Sequence, residues 1–289
     1  MNLSIVIVNW NTRDYLAQCL ESIRANPPSG KCEIFVVDNA SEDGSAQMIR
    51  EKFPEVKLIA NGENIGYAEG NNQAIRQSRG KYILLLNPDT EIKSGALTAL
   101  IKFAEARPNV AAVGCRLVGS DGKVQRSCRG FPEPLPVLFE YLRLSRLFPK
   151  SKLFGAYRMT YFDYASDAEV DQPMGSCLLI SRRALDDIGM FDQDFPIFFN
   201  EVDWCYRAGQ KGWKVYFTAD AEVVHHGAAS TRLVKAEMVK ESHRALRKFY
   251  EKHYRGQIPT PLYRLIVSAI KANSWISSRL MSVGKKRKR

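Results

Sequence analysis

The segment LSIVIVNWNTRDYLAQCLESIRANPPSGKCEIFVVDN (residues 3–39) decides the fold. LSIVIVN (3–9) is a short apolar, β-branched run and reads as a strand. TRDYLAQCLESIRA (12–25) carries apolar residues at helical spacing, so it reads as an amphipathic helix. EIFVVDN (33–39) is a second strand. The pattern then repeats. SEDGSAQMIREKF supplies a cap and a helix, VKLIAN (56–61) a third strand, and YAEGNNQAIRQSRG a helix closed by Gly80. KYILLLN (81–87) is a fourth strand, and SGALTALIKFAEARP a helix stopped before Pro108. Strand–helix alternation of this kind predicts an α/β fold: an open, mostly parallel, Rossmann-like sheet with helices on both faces. Ligands of such sheets sit at the carboxyl ends of the strands, which places Asn9, Asp38 and Asp89 along one edge.

Beyond this core the pattern changes. Residues 115–173 are rich in proline and aromatics, with an Asp121-Gly122 turn, and read as an irregular region covering one side of the site. Strand and helix character returns in SCLLISRRALDDIG (176–189) and EVDWCYRAGQKGWKVYF (201–217). Val234 to Tyr254 is helical, LYRLIVSAIKANSWISSRLMSV is helical again, and the chain ends in GKKRKR.

A chain of 289 residues, 45% of them hydrophobic, supports one large domain or two small ones. Its six cysteines are scattered without paired spacing, as in a reduced cytosolic protein. The amino terminus has no basic leader and enters a strand at once. No run approaches the roughly 18 apolar residues of a spanning helix. The net charge of +11 is concentrated at one end: Arg232 to Arg289 hold 16 Lys and Arg against 3 Asp and Glu. Such a tail points to a polyanion, a membrane surface or a solubilising role.

Five clusters carry candidate chemistry, each with a plainer structural reading beside it. Asp38, in VVDNAS, could accept a hydrogen bond from a nucleobase or ribose, or form a turn; Ser41 and Ser45 would cap the next helix equally well. Trp10 could wall a base or pack in the core. In ENIGYAEGNNQAI (63–75), Gly66 and Gly70 with Asn64, Asn71 and Asn72 crowd a strand-to-helix turn, where a backbone can approach an anion, or simply form a capped turn. YILLLNPDT (82–90) ends a buried strand on Asn87, Pro88 and Asp89. A hard divalent ion takes such oxygen ligands and shares them with a diphosphate, although Asn-Pro-Asp is also a common turn. In FFNEVDWCYR (198–207), Glu201 and Asp203 open a helix. Aromatic surroundings could raise a carboxylate toward general-base use, or the acids could serve the helix dipole. In AEVVHHGAAS (221–230), a histidine at a strand end beside a proposed metal site is a fair ligand, although a lone histidine is more often structural.

Taken in order, SIVIVNWN, VVDNASEDGS, NIGYAEGNNQAI, YILLLNPDT, GSCLLISRRALDDIGMFD, FFNEVDWCYRAGQKGW and VVHHGAAS resemble family 2 glycosyltransferases. These are inverting enzymes of the GT-A fold, and the likeness is to the rhamnosyltransferase-like branch that builds bacterial surface polysaccharides such as lipopolysaccharide. It covers about residues 1–255. The resemblance implies a nucleotide-sugar side made by Asn9, Trp10, Asp38, Asn64, Gly66, Asn71 and Asn87, with Asp38 on the nucleobase. Asp89 is similar to the last residue of the metal-binding Asp-x-Asp motif, and His225 to the late metal ligand, for Mg²⁺ or Mn²⁺. Glu201 falls where the catalytic carboxylate does, with Asp203 two residues on; both stay open as the base. Two positions depart from the pattern: Asn87 replaces the first aspartate, and Asn200-Glu201 replaces the usual Glu-Asp.

The implied activity is single displacement of a nucleoside diphosphate by a hydroxyl of a glycan or lipid-linked acceptor, with dTDP-L-rhamnose the first choice of donor. The alternative, motivated by Asn87 and Asn200, is an inactive nucleotide-sugar binder. Residues 1–231 are expected to form the catalytic domain, with a nucleotide-sugar half (1–114) and an acceptor half (115–231). Residues 232–289 form a basic helical extension. There Leu262, Ile266, Ala269, Ile276, Leu280 and Val283 are expected on one face, flanked by Arg264, Lys271 and Arg279. With KKRKR following, this fits a peripheral contact with the anionic inner face of the cell membrane, or packing on protein, including a homo-oligomer. No nucleic-acid module is interleaved with the basic residues, so no nucleic-acid partner is expected.

Overall fold

The computed structural model describes residues 1–227 and 235–286, with side chains described for 1–227 and 237–274. Strands β1 (Leu3–Asn9), β2 (Cys32–Asn39), β3 (Lys57–Asn61) and β4 (Tyr82–Leu86) run parallel. Helices α1 (Arg13–Ala25), α2 (Ser45–Lys52) and α3 (Tyr67–Gln77) connect them. The chain continues through β5 (Thr90–Ile92), α4 (Ala96–Glu105), β6 (Val110–Val118), β7 (Cys128–Arg129), α5 (Pro134–Tyr141) and α6 (Leu144–Leu147). Then follow β8 (Ala168–Glu169), β9 (Gln172–Pro173), β10 (Cys177–Ser181), α7 (Arg182–Ile188), α8 (Asn200–Gln210), β11 (Lys214–His225), α9 (Lys235–His253) and α10 (Thr260–Lys286).

The main sheet has the order β3-β2-β1-β4-β10-β6-β11-β5, with β8 also on β11. β10 lies antiparallel between β4 and β6, and β11 is parallel to β6. Helices cover both faces, so β1 is buried at every residue. Ile5 and Ile7 join the core on one face, and Val6 and Val8 the core on the other. One sheet therefore runs through both halves of residues 1–231. This is the GT-A architecture that the sequence motifs imply.

One expectation is corrected. Residues 115–118 are not irregular; they are the end of β6, whose register with β11 continues to Val118. Ala111, Ala112 and Gly114 have little strand propensity, and burial on both faces decides instead. The rest of the 115–173 region also contains α5, α6 and a small β7–β9 ribbon. In α10, Ile266 of the face expected to hold Leu262, Ile266 and Ala269 is packed on protein. Tyr263, Ile266 and Ile270, at spacings of three and four, pack into a cluster with Phe249, Tyr250 and Tyr254 of the α9 end and Phe195 and Val202 near α8. Leu262 and Ala269 stay exposed. The side chains of Ile276, Arg279, Leu280 and Val283, and residues 287–289, lie outside the described residues.

The amino ends of the strands are tied by one buried carboxylate. Glu33 accepts from Ser4 Oγ (2.7 Å), Lys57 Nζ (2.7 Å) and the Arg79 N–H (2.7 Å), while Ser4 Oγ accepts from the Gly80 N–H. Burial alone would raise the Glu33 pKa; these hydrogen bonds outweigh it and hold it below the ordinary value. Glu33→Ala should cost about 2–3 kcal/mol, because the amide and hydroxyl lose their buried acceptor. Since the folded pKa is depressed, the wild-type advantage is full above the unfolded glutamate value of about 4.3 and fades as pH falls through the folded value. Thermal melts of both proteins across that window measure it.

Candidate active site

The parallel register of β1 and β2 sets Asn9 beside Asp38 at the carboxyl edge. Asn9 Nδ2 donates to Asp38 Oδ1 (2.8 Å), and the Ser41 N–H donates to Asp38 Oδ2 (3.0 Å). Asn9 Oδ1 in turn accepts from Thr12 Oγ1 (2.6 Å). Asp38 is 2% exposed. Ser41, which the sequence offers as a helix cap, instead accepts from Asn9 Nδ2 and the Asn11 N–H. Trp10, half-buried, follows directly.

Asp89 and His225 are 136 positions apart and meet through strand pairing. β11 runs antiparallel to β5 with His225 opposite Thr90, one residue past Asp89. His225 Nε2 lies 3.5 Å from Asp89 Oδ1. The other ring nitrogen, Nδ1, is 2.8 Å from Gln125 Oε1, while Gln125 Nε2 donates to the His225 carbonyl at 2.7 Å. The amide nitrogen is committed to a carbonyl, so the amide oxygen faces the ring and Nδ1 carries the proton. Nε2 then presents a lone pair toward Asp89, the tautomer a metal ligand needs. Burial pushes the His225 pKa down; the Asp89 charge opposes this and His226 adds to it. These two donors converge on one point and fit a divalent ion that takes its remaining ligands from elsewhere. Among the described residues no cluster of three or more His, Cys, Asp or Glu could hold a metal.

Glu201 stands in the first turn of α8 and rests against Gly175, where a Cβ would come within 3.7 Å of its carboxyl carbon. Gly175 arrives there because β10 pairs with β4: the Asn87 N–H donates to the Ser176 carbonyl (2.9 Å). Burial raises the Glu201 pKa, partly opposed by its own N–H and that of Gly175. Tyr67 links the two sides. Its hydroxyl donates to the Gly175 carbonyl (3.1 Å), and its pKa is raised by burial, then by the charges of Glu201 and, more weakly, Asp89.

Asp203, one turn into the same helix, is engaged elsewhere. Its Oδ2 accepts from Arg207 Nε (2.9 Å), and its Oδ1 meets His253 Nε2 and Lys252 Nζ, each at 2.7 Å. Burial would raise its pKa, but these partners outweigh that and lower it. Both oxygens are spent on α9 and on the arginine that also donates to the Ile188 and Met190 carbonyls. Engagement of both by cationic or proton-donating partners suits a structural clamp.

The α3 turn is also more occupied than the sequence suggests. The N–H groups of Tyr67 and Ala68 both donate to the Pro196 carbonyl (2.7 and 3.1 Å), so this helix start is already capped. Gly66 has φ +85°, and a Cβ there would meet Pro196 O at 3.0 Å, which explains the glycine without a ligand. Asn64 accepts from the Gly66 N–H and from Asn39 Nδ2. Asn72 is paired twice with the Phe191 backbone. Asn71 donates to the Tyr67 carbonyl, but its own buried Oδ1 has no partner. Asn87 Nδ2 contacts Ser176 Oγ (3.3 Å). Gln125 and Tyr67 were not singled out from the sequence: Gln125 lies in no motif, and within ENIGYAEGNNQAI the glycines and asparagines rather than Tyr67 carry the signal, whereas Gly175 and Ser176 were expected to shape the acceptor side.

With this geometry in view, comparison with known proteins is informative. The profile described as Glycosyl transferase family 2 matches residues 4–189. The N-acetylglucosaminyl-diphospho-decaprenol L-rhamnosyltransferase of Mycobacterium tuberculosis is 28% identical over 271 residues, covering 90% of this chain and 87% of that one. Rhamnosyltransferase WbbL of Escherichia coli is 25% identical, over 79% of this chain and 84% of its own. Among solved structures, the mannosyltransferase PcManGT of Pyrobaculum calidifontis, in complex with GDP-Man and Mn²⁺, superposes with a TM-score of 0.60 at 18% identity, over 99% of this chain and 79% of that one.

The two acids of α8 should separate by stability. Asp203→Ala leaves Arg207 and Lys252 without their buried counter-charge and should cost about 3 kcal/mol or more. Glu201→Gln, which removes no ion pair, should melt close to wild type. Calorimetric melting of the two variants checks this.

Proposed function

The chain belongs to glycosyl transferase family 2, and on that premise we propose that it transfers L-rhamnose from dTDP-L-rhamnose to a hydroxyl of a glycan or lipid-linked acceptor in surface-polysaccharide synthesis. The donor assignment leans on the relatives named as rhamnosyltransferases, one of which carries a decaprenol diphosphate in its name. The observation that carries the mechanism is Glu201: a carboxylate with raised proton affinity, joined through Tyr67 and Gly175 to the strand end that bears Asp89.

In this reading Asp38 and Asn9 hold the nucleobase or ribose, with Trp10, Asn64, Gly66, Asn71 and Asn87 around the donor. The unpartnered Oδ1 of Asn71 is an acceptor waiting for a donor group. Asp89 and His225 hold Mg²⁺ or Mn²⁺, which when bound neutralises charge growing on the leaving diphosphate. Solved relatives of the same fold are described with Mn²⁺. Glu201 takes the proton from the acceptor hydroxyl as its oxygen attacks the anomeric carbon. The bond to the nucleoside diphosphate breaks on the opposite face, so the anomeric centre inverts and one base is enough. The two departures from the family pattern leave these groups in place. Asn87 is turned to Ser176, and Asn200 bonds the Ile197 carbonyl at the start of α8.

Glu201→Gln should lower kcat by roughly 10³-fold while donor affinity stays near wild type, measured by product formation and by calorimetric titration. Retention of activity within an order of magnitude would remove Glu201 from the role. Because burial raises its pKa, kcat/KM should rise with pH through a value above the ordinary glutamate range, and then level off. Gln125→Leu frees the His225 ring to adopt the other tautomer. It should weaken Mn²⁺ binding in the presence of dTDP by roughly 10–100-fold, read by titration without turnover. Equal affinity in the two proteins would sink the tautomer argument.

A further inference from the structure

Outside the site, the exposed apolar surface is not evenly spread. Of thirteen exposed large hydrophobic side chains among the described residues, eight lie between Leu135 and Tyr161. They sit on the α5–α6 hairpin and the loop that follows. Leu135, Leu138 and Leu142 recur at spacings of three and four, a single outward stripe, while Val137 is buried on the opposite side. Leu147, Phe148 and Leu153 follow along the chain, at 69%, 52% and 62% exposure. A folded chain does not leave apolar side chains clustered in water without a use.

Charge identifies the occupant. From Tyr141 to Phe162 there is no acidic residue, and Arg143, Arg146, Lys150 and Lys152 are all exposed among the leucines and phenylalanines. None of these four forms an ion pair among the described residues; Glu140, the nearest acid, is taken by Arg158 and Ser145. Leucine and phenylalanine with unpaired arginine and lysine on a short hairpin match an interface with apolar depth and anionic headgroups. No helix among the described residues is long and apolar enough to cross a membrane. The hairpin is also well placed. Val137, Glu140 and Tyr141 share a cleft of about 220 Å³ with Phe199, two residues before Glu201. Gly130, just before α5, accepts from Gln172 in the ribbon that leads to Gly175.

We propose that the α5–α6 hairpin is a membrane-docking element: its leucine and phenylalanine crest enters an anionic leaflet, and Arg143, Arg146, Lys150 and Lys152 bind lipid phosphates. The proposal concerns this hairpin and not the basic carboxyl-terminal residues. It does not depend on the sugar-transfer reading, since binding is read without catalysis.

The test is flotation of the full chain with phosphatidylcholine vesicles, with and without about 30% phosphatidylglycerol, a leaflet charge of the physiological order. Three variants run beside it: Leu142→Ser/Leu147→Ser/Phe148→Ser; Arg143→Gln/Arg146→Gln/Lys150→Gln/Lys152→Gln; and a tail in which Lys285, Lys286, Arg287, Lys288 and Arg289 all become Gln. All hairpin changes are at exposed positions, and circular-dichroism melts report that each variant is folded. The wild type should float only with anionic vesicles. Each hairpin variant should bind at least about tenfold more weakly, and the tail variant much less affected. Hairpin variants that float like wild type would overturn the proposal, as would a wild type that ignores both vesicles. A shift from dimer to monomer in the apolar variant, with no vesicle binding by wild type, would assign the crest to a second copy instead.

Discussion

The site depends on strand register more than on any single residue. Four parallel strands deliver their carboxyl ends to one edge, but parallel pairing alone brings only Asn9 and Asp38 together. The second half of the site comes from reversals. β10 returns antiparallel beside β4 and lays Gly175 and Ser176 against Asn87. β11 then pairs antiparallel with β5, which stations His225 next to Asp89. A slip of one residue in that last pairing would turn His225 to the other face of the sheet. His226 shows what that would mean: it faces Glu91 and Tyr15 rather than Asp89.

Much of this was legible in the chain and some was not, for definable reasons. The first four strands and their helices are written in short β-branched runs and helical periodicity, local signals that survive in isolation. The strand-end positions of Asn9, Asp38 and Asp89 follow from the fold rule alone. β6 was largely hidden because alanine and glycine fill it, and its strand character is conferred by neighbours on both sides. Gln125 was hidden for a different reason. Its role exists only once β11 brings His225 to it, and no spacing in the sequence encodes a contact across 100 positions. On α10 the apolar residues suit more than one stripe: Tyr263, Ile266 and Ile270 pack on protein, while Leu262 and Ala269 stay exposed.

The carboxyl-terminal helices are part of how the site is held. α9 contributes Lys252 and His253 to Asp203, and its aromatic residues pack with Phe195 and Val202, which flank the start of α8. Lys252 also bridges to Asp192, and Lys248 to Asp194. The segment 191–199, which caps α3 through Pro196 and leads into Glu201, is thereby braced from both sides. A helix start carrying a buried carboxylate would otherwise be a poor place for fixed geometry, since its first turn lacks intrahelical partners.

Glu201 and Asp203 make the functional argument in miniature. They are two residues apart in one helical turn, Asp203 buried and Glu201 half-buried, and desolvation alone pushes both toward the protonated form. What separates them is company. Asp203 faces three cationic or proton-donating groups and is held charged. Glu201 faces a glycine and its backbone, and its proton affinity is raised. A carboxylate held as an anion by salt bridges has little drive to take a proton, whereas one whose proton affinity is raised by its surroundings has more. When two like groups are pushed apart in this way, the one that is raised and left unpaired is the one positioned to exchange a proton, and the one that is lowered is the one that holds the scaffold.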